Sequence, residues 1–316
     1  MTAQQAGLRP LKIGLVGLGK IAVDQHIPAI RANPNWELVA GCSPSSRLPG
    51  LRCYQSMEAM LAEHPDIEAV ALCTPPQVRQ ALAKQAIEAG KHVFLEKPPA
   101  ATVGEADTIR ELAEAHGVTL LAGWHSRFSP AVEPAREWIA QRTLSSLRIE
   151  WKENVREWHP GQHWIFAAGG SGIFDPAINS LSILTRLLPD TVIVRKADMH
   201  VPVNCAAPIR AELKMGTEAG LSIRAEYDFL ETERQRWSIF AETADGEKLA
   251  VHKGGMMLEI DGKVVLDGVD AEYAGLYAHF HDLIRTRRSD ADFAPMRIVA
   301  DACMIGTFLP APAFIE

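Results

Sequence analysis

The chain has 316 residues, 47% of them hydrophobic, and 32 basic against 39 acidic side chains give it a net charge of −7. That length suits about two domains with sizeable cores, and a mildly acidic chain without basic runs gives no reason to expect nucleic acid or an anionic membrane as partner. No stretch approaches the roughly 20 apolar residues of a membrane span, residues 1–10 are polar without paired arginines, and the five cysteines are scattered without paired metal spacing. The expectation is a cytoplasmic protein that acts on a small molecule, with reduced cysteines and with Cys42 and Cys73 in the core near strand ends.

In the first half, strand-like runs at 12–16, 37–41, 69–73, 92–95 and 119–122 alternate with helix-like runs at 21–32, 57–63, 78–89 and 103–116. This rhythm predicts an α/β fold with a doubly wound parallel sheet, whose ligand lies beyond the carboxyl ends of the strands. The first strand end reads Gly17-Leu18-Gly19-Lys20-Ile21-Ala22, between a strand and a helix. Gly17 permits the tight turn, Gly19 the approach of a pyrophosphate, and Ala22 close packing, while the helix start, with Lys20 and Ile21, aims N–H groups at phosphate. The segments Ser43 to Arg47, Thr74-Pro75-Pro76, Glu96-Lys97-Pro98 and Trp124-His125 fall at the other strand ends.

An acid at the end of the second strand usually holds the ribose 2′-OH of NAD. Here that end reads Gly41-Cys42-Ser43-Pro44-Ser45-Ser46-Arg47, with no acid. Ser43, Ser45, Ser46 and Arg47 can instead hold a 2′-phosphate, which predicts NADP as preferred cofactor with NAD accepted. Lys97 reads as a proton donor, a relay member or a plain loop lysine.

Beyond about residue 126 the rhythm changes. A helix-like run at 130–141 precedes alternating segments at 147–155, 192–200, 209–214, 221–229, 237–243 and 248–251, with a helix-like run at 175–188 among them. Hairpin turns stand at Asp245-Gly246 and Asp261-Gly262, and 272–287 and 295–308 look helical. The prediction is a Rossmann dinucleotide-binding domain over 1–125, followed by an α+β substrate domain over 126–316 with a large, mainly antiparallel, open-faced sheet. Its edges make a homo-oligomer an expectation. His125, Glu153 and His159 can hydrogen-bond hydroxyls of a ligand and Trp158 and Trp164 can cover an apolar ring face, or all five can simply pack; His163 takes no assignment. Asp175 starts a helix-like run, as an N-cap or as a base.

Together the Gly17 turn, Thr74-Pro75-Pro76, Glu96-Lys97-Pro98-Pro99 and the segment 170–179 resemble the Gfo/Idh/MocA oxidoreductase family over nearly the whole chain. The resemblance implies a Rossmann domain, then an open-faced domain whose sheet often forms the oligomer interface, with the active site between them. A finer set is similar to bacterial aldose 1-dehydrogenases acting on L-arabinose and D-galactose: Trp124-His125-Ser126-Arg127, Trp151-Lys152-Glu153, the run from Trp158 to Trp164, and Asp175-Pro176-Ala177-Ile178-Asn179. It implies oxidation of an aldopyranose (L-arabinose, D-galactose or D-fucose) at C1 to its lactone with NAD(P). On that footing Asp175 is the general base and Lys97 assists. The family usually has histidine four residues after this aspartate; Asn179 stands here, and since an amide accepts no proton at neutral pH, it is left to orient a hydroxyl. The cofactor set becomes Gly17, Gly19, Lys20, Ile21, Ser43, Ser45, Arg47, Thr74, Pro75, Pro76, Glu96, Lys97 and His125. Two alternatives remain: another sugar or inositol dehydrogenase of the family, and a non-catalytic dinucleotide-binding regulator.

Overall fold

In the computed structural model, which describes residues 9–315, the chain divides into two units. One holds residues 9–124 and Tyr273–Phe293; the other holds His125–Glu272 and 294–315. The expected split at 125/126 therefore differs in two respects: His125 falls in the second unit, and a later segment crosses back. Residues 273–293 return to the first unit, where Tyr277 and Phe280 are fully buried and Phe94 stacks on Tyr277.

The first unit runs β1 (Leu11–Val16), α1 (Ile27–Ala32), β2 (Trp36–Cys42), β3 (Cys53–Tyr54), α2 (Met57–Glu63), β4 (Ala69–Leu72), α3 (Pro76–Glu88), β5 (His92–Glu96), α4 (Val103–His116) and β6 (Leu120–Gly123). Its six strands lie parallel in the order β3-β2-β1-β4-β5-β6. The order reverses direction between β1 and β4, which opens a crevice at their carboxyl ends. α2 and α4 have the expected bounds because Ser56 and Thr102 cap them through the N–H groups of Ala59 and Glu105, and Gly117, at φ 63°, stops α4. The helix expected at 21–32 is helical throughout, with a π-helical turn, Ala22–His26, before α1. Pro28 has no N–H for the carbonyl four residues back, so the ladder changes pattern there. β3, a two-residue edge strand, is too short to leave a pattern in the sequence.

The second unit contains α5 (Val132–Ala140), β7 (Leu144–Lys152), α6 (Val155–Trp158), α7 (Phe174–Leu187), β8 (Ile193–Pro202), β9 (Arg210–Gly216), β10 (Ser222–Asp228), β11 (Arg236–Thr243), β12 (Lys248–His252), β13 (Met257–Ile260) and β14 (Lys263–Asp267). After α8 (Glu272–Thr286) come α9 (Ala294–Ile305) and β15 (Thr307–Ala311). The nine-stranded sheet has the order β14-β13-β12-β11-β7-β10-β9-β8-β15, antiparallel except at β7–β10 and β8–β15. α5, α7 and α9 pack on one face over a core that includes Ile149, Leu181, Leu184, Leu213, Ile223 and Ile239. The helix expected over 295–308 stops at Ile305. A side chain at Gly306 would run into Met199 and the Ala302 carbonyl, and the chain beyond it joins the sheet edge, where Pro310 is tolerated.

Candidate active site

In the first unit, Gly17 has φ 91°, and a Cβ there would lie 3.0 Å from backbone atoms of Cys73 and Thr74; Gly19 faces open space. Ala22 is fully buried, and no side chain caps the helix start at Ile21, so its N–H groups keep the orientation that binds phosphate. Thr74 Oγ1 is buried without a hydrogen-bond partner among the described residues. A glycine cradle, an uncapped helix start and an orphaned hydroxyl on one sheet end fit a dinucleotide. Lys20 stands exposed and pairs with Asp24, beside a partly exposed Ile21.

At the end of β2, the Ser43 hydroxyl accepts the N–H groups of Ser45 and Ser46 at 3.4 and 3.1 Å. Arg47 is exposed, and its guanidinium donates at 2.8 Å to the carbonyls of both Ser43 and Ser46. The loop is thus a wound turn with a cation held at its rim. Pro75 is exposed, and Pro76 starts α3, where its missing N–H costs nothing.

Two buried polar groups organise the Lys97 loop: Glu96, which the sequence placed among the cofactor contacts, and Arg79, which sequence reasoning missed. Glu96, 3% exposed, accepts the Lys97 backbone N–H on one carboxylate oxygen and the Tyr273 hydroxyl on the other. Arg79, 2% exposed, donates to the main-chain carbonyls of Thr74, Glu96 and Pro98. One guanidinium thereby ties the Thr74 loop to both sides of Lys97, across a cis Lys97–Pro98 bond. Burial lowers the Arg79 pKa to about 10, which leaves it charged at neutral pH. His26, fully buried, bonds the Tyr277 hydroxyl at 2.7 Å and stands 3.4 Å from Glu96. Burial opposes charge on this ring, but the Cys73 thiol and the Glu96 carboxylate outweigh it and raise its pKa to about 10. The available signal for Arg79 was a cation on the apolar face of a helix, in step with Ala83 and Ala86.

In the second unit, the end of β7 delivers Glu153, 5% exposed. One of its oxygens lies 3.2 Å from His159 Nε2, and the other accepts the Trp237 indole N–H at 2.7 Å. The opposite ring nitrogen, His159 Nδ1, lies 4.0 Å from Asp175 Oδ2. Asp175 is 7% exposed in the first turn of α7 and is not its N-cap, which is Ile173. Asn179 follows one turn later on the same helix and is partly exposed. Trp158, half exposed, donates to Gln235 at 2.6 Å and meets Trp237 edge to face at 5.4 Å. Trp164 is also exposed, in the 3₁₀ turn His163–Phe166. His125 commits Nδ1 to Glu272 at 2.5 Å. Glu153, His159 and Asp175 therefore meet; His125 belongs to a separate pair. Trp237 and Gln235 were missed because they lie on and just before β11, far along the chain from the motifs they support.

A family described as "Oxidoreductase family, NAD-binding Rossmann fold" matches residues 11–124. The chain belongs to the Gfo/Idh/MocA oxidoreductase family and is an NAD(P)-dependent oxidoreductase. It is 45% identical over 311 residues to a galactose 1-dehydrogenase of Pseudomonas fluorescens, covering 98% of this chain and 100% of that one. A crystal structure of a D-galactose-1-dehydrogenase protein from Rhizobium etli, also 45% identical, superposes with a TM-score of 0.94 over 98% of this chain and 99% of that chain. A 3-ketoreductase from Actinomadura kijaniata, solved with NADP, shares the fold at 16% identity and a TM-score of 0.83, covering 96% and 100% of the respective chains.

Proposed function

We propose that this protein is an aldose 1-dehydrogenase, oxidising the C1 hemiacetal of D-galactose, L-arabinose or D-fucose to the lactone and using NADP in preference to NAD. The observation that carries the reading is the cluster of two buried carboxylates, Glu153 and Asp175, about the imidazole of His159, flanked by the indoles of Trp158 and Trp237. Convergent acceptors beside aromatic faces suit a polyhydroxylated ring. The likeness to galactose 1-dehydrogenases, end to end, supports the same substrate class.

The bound dinucleotide, held at the Gly17 turn, would supply the hydride acceptor for C1. Asp175 takes the O1 proton, and Lys97, on the dinucleotide-binding unit, donates a hydrogen bond to O1. Asn179 orients a sugar hydroxyl; His125, Glu153 and His159 bond others, and Trp158 and Trp164 cover carbon faces. Gly17, Gly19, Lys20 and Ile21 cradle the pyrophosphate, while Thr74, Pro75, Pro76, Glu96 and His125 complete the cofactor contacts. The preference for NADP rests on Ser43, Ser45 and Arg47, because an exposed guanidinium at the end of β2, with no acid beside it, attracts a 2′-phosphate. Among the described residues no helix is long and apolar enough to cross a membrane, and the described cysteines are all free; the reading keeps the protein in the cytoplasm, as a homo-oligomer built on the open sheet.

The test is reduction of NADP, and separately NAD, by the purified protein with D-galactose, L-arabinose, D-fucose, D-glucose and myo-inositol, with lactone detection. Lactone from the galactose-configured sugars, with higher kcat/KM for NADP, is expected. Turnover of myo-inositol without lactone overturns the aldose reading, and higher kcat/KM for NAD overturns the cofactor preference.

A further inference from the structure

We propose that His159 is the proton relay of this site: it takes the proton that Asp175 removes from O1 and passes it to solvent, with Glu153 as the positioning residue that fixes its tautomer. The inference rests on the aldose 1-dehydrogenase reading. In that reaction C1 loses a hydride with its electron pair to NAD(P), O1 loses a proton, and the products are lactone, NAD(P)H and one proton. The carboxylate that accepts this proton must shed it before the next turnover.

Asp175 is badly placed to shed it alone. Its side chain is 9% exposed and that of Glu153 is 6% exposed, whereas His159 between them is 17% exposed. The imidazole is the member of the cluster with the best access to water. Its two nitrogens also face different carboxylates. Nε2 lies 3.2 Å from Glu153 Oε1, and Nδ1 lies 4.0 Å from Asp175 Oδ2. A neutral imidazole has one donor and one acceptor nitrogen. With Nε2–H donated to Glu153, the lone pair of Nδ1 faces Asp175 and can receive its proton; as the lactone leaves and water enters, the doubly protonated ring gives the Nδ1 proton to that water and returns to the Nε2–H tautomer. The 4.0 Å gap is of the kind that closes when substrate binds, since catalytic hydrogen bonds are often long without it.

The surroundings of Glu153 hold its carboxylate against the His159 ring. Its second oxygen is taken by the Trp237 indole at 2.7 Å, and its own N–H is tied to the Asp228 carbonyl at 2.8 Å, so the carboxylate cannot swing away. The His159 N–H is held by the Val155 carbonyl at 2.8 Å, and the ring packs edge to face on Phe229 at 5.5 Å. A carboxylate orienting an imidazole that serves a reacting group is the arrangement of catalytic triads.

The experiment compares wild type, Glu153→Gln and His159→Ala, by steady-state kinetics on D-galactose and by the ¹⁵N ring signals of histidine in protein free of sugar and cofactor. The His159 signals are identified by their loss in His159→Ala. The expected results are an Nε2–H tautomer in wild type that is lost in Glu153→Gln, a kcat about 10- to 100-fold lower in Glu153→Gln, a loss larger than any rise in KM, and a larger loss in His159→Ala that added imidazole restores and the weakly basic pyrazole does not. A His159→Ala enzyme with wild-type kcat, or with its whole defect in KM and no rescue, overturns the relay and leaves His159 as a sugar contact. If His159→Ala does not fold, an unchanged tautomer and an unchanged kcat in Glu153→Gln overturn it equally. A wild-type protein that oxidises no aldose overturns the underlying reading instead, and it is recognised before any variant is compared.

Discussion

Glu272 illustrates how a single residue is set by its neighbours. Burial alone would raise its pKa, but the His125 ring at 2.5 Å and the hydroxyls of Ser129 and Ser126 more than offset that and hold the carboxyl below its ordinary value. A carboxylate depressed in the folded state stabilises the fold above its unfolded pKa of about 4.3, and that contribution is lost as the pH falls through the lower folded value. Glu272→Gln should therefore melt at a lower temperature than wild type near neutrality, and the difference should shrink in acid, which a series of thermal melts across pH would reveal. A gap that stays constant with pH would assign the pair no electrostatic role. The roles proposed for Lys97 and Asp175 are tested at the same scale, but through turnover. Alanine at either should lower kcat by about 10²–10⁴, the range for acid-base groups, while fluorescence titration returns a wild-type affinity for NADPH. Wild-type turnover in one of them would remove that residue from the chemistry.

Among the elements, α3 does more than cover the sheet, because Arg79 on its buried face supplies the donors for three loop carbonyls. Removing the guanidinium leaves buried acceptors unpaired, each at about 1–3 kcal/mol. Arg79→Met should melt lower and bind NADPH about tenfold more weakly. Arg79→Lys should recover only part of this, since a point charge cannot span three carbonyls as the planar fork does. Unchanged NADPH affinity in the methionine variant would show that the clamp does not shape the cofactor loops. The sequence revealed such elements unevenly. α2 and α4 were legible to the residue because their caps are local, and the glycine turn and strand-end motifs were legible because strand, turn and helix follow one another in the chain. The network of His26, Glu96, Tyr273 and Arg79 was not, because its partners are backbone carbonyls or lie on α8, remote in sequence. The Glu153–His159–Asp175 cluster fell between these cases: its members were picked out by type, but their mutual orientation depends on Trp237 from β11.

For the whole molecule, the outer face of the nine-stranded sheet carries an unusual charge pattern. Strand register lines up Lys196, Lys214, Arg224 and Arg148 in one row across β8, β9, β10 and β7, and Asp198, Glu212, Glu226 and Glu150 in the next. Like charges directly opposite on neighbouring strands are destabilising, and within one sheet they are relieved in part by the Lys196–Asp198, Arg148–Glu150, Lys152–Glu226 and Arg236–Glu150 pairs. The rows are two residues apart, roughly 6.6 Å. A two-fold axis parallel to the rows and midway between them would set the basic row of one copy on the acidic row of another, the self-complementarity that an isologous dimer requires. In the homo-oligomer proposed above, this face would join two copies of the chain. Light scattering should find a dimer or a multiple of it in wild type and a monomer in Lys214→Glu/Arg224→Glu. Adding Glu212→Lys and Glu226→Lys to that variant exchanges the signs of the two rows at their centres and should restore association. A monomeric wild type overturns the proposal, as does a quadruple variant that stays dissociated while melting like wild type, because matched charge would then not be what brings the sheets together.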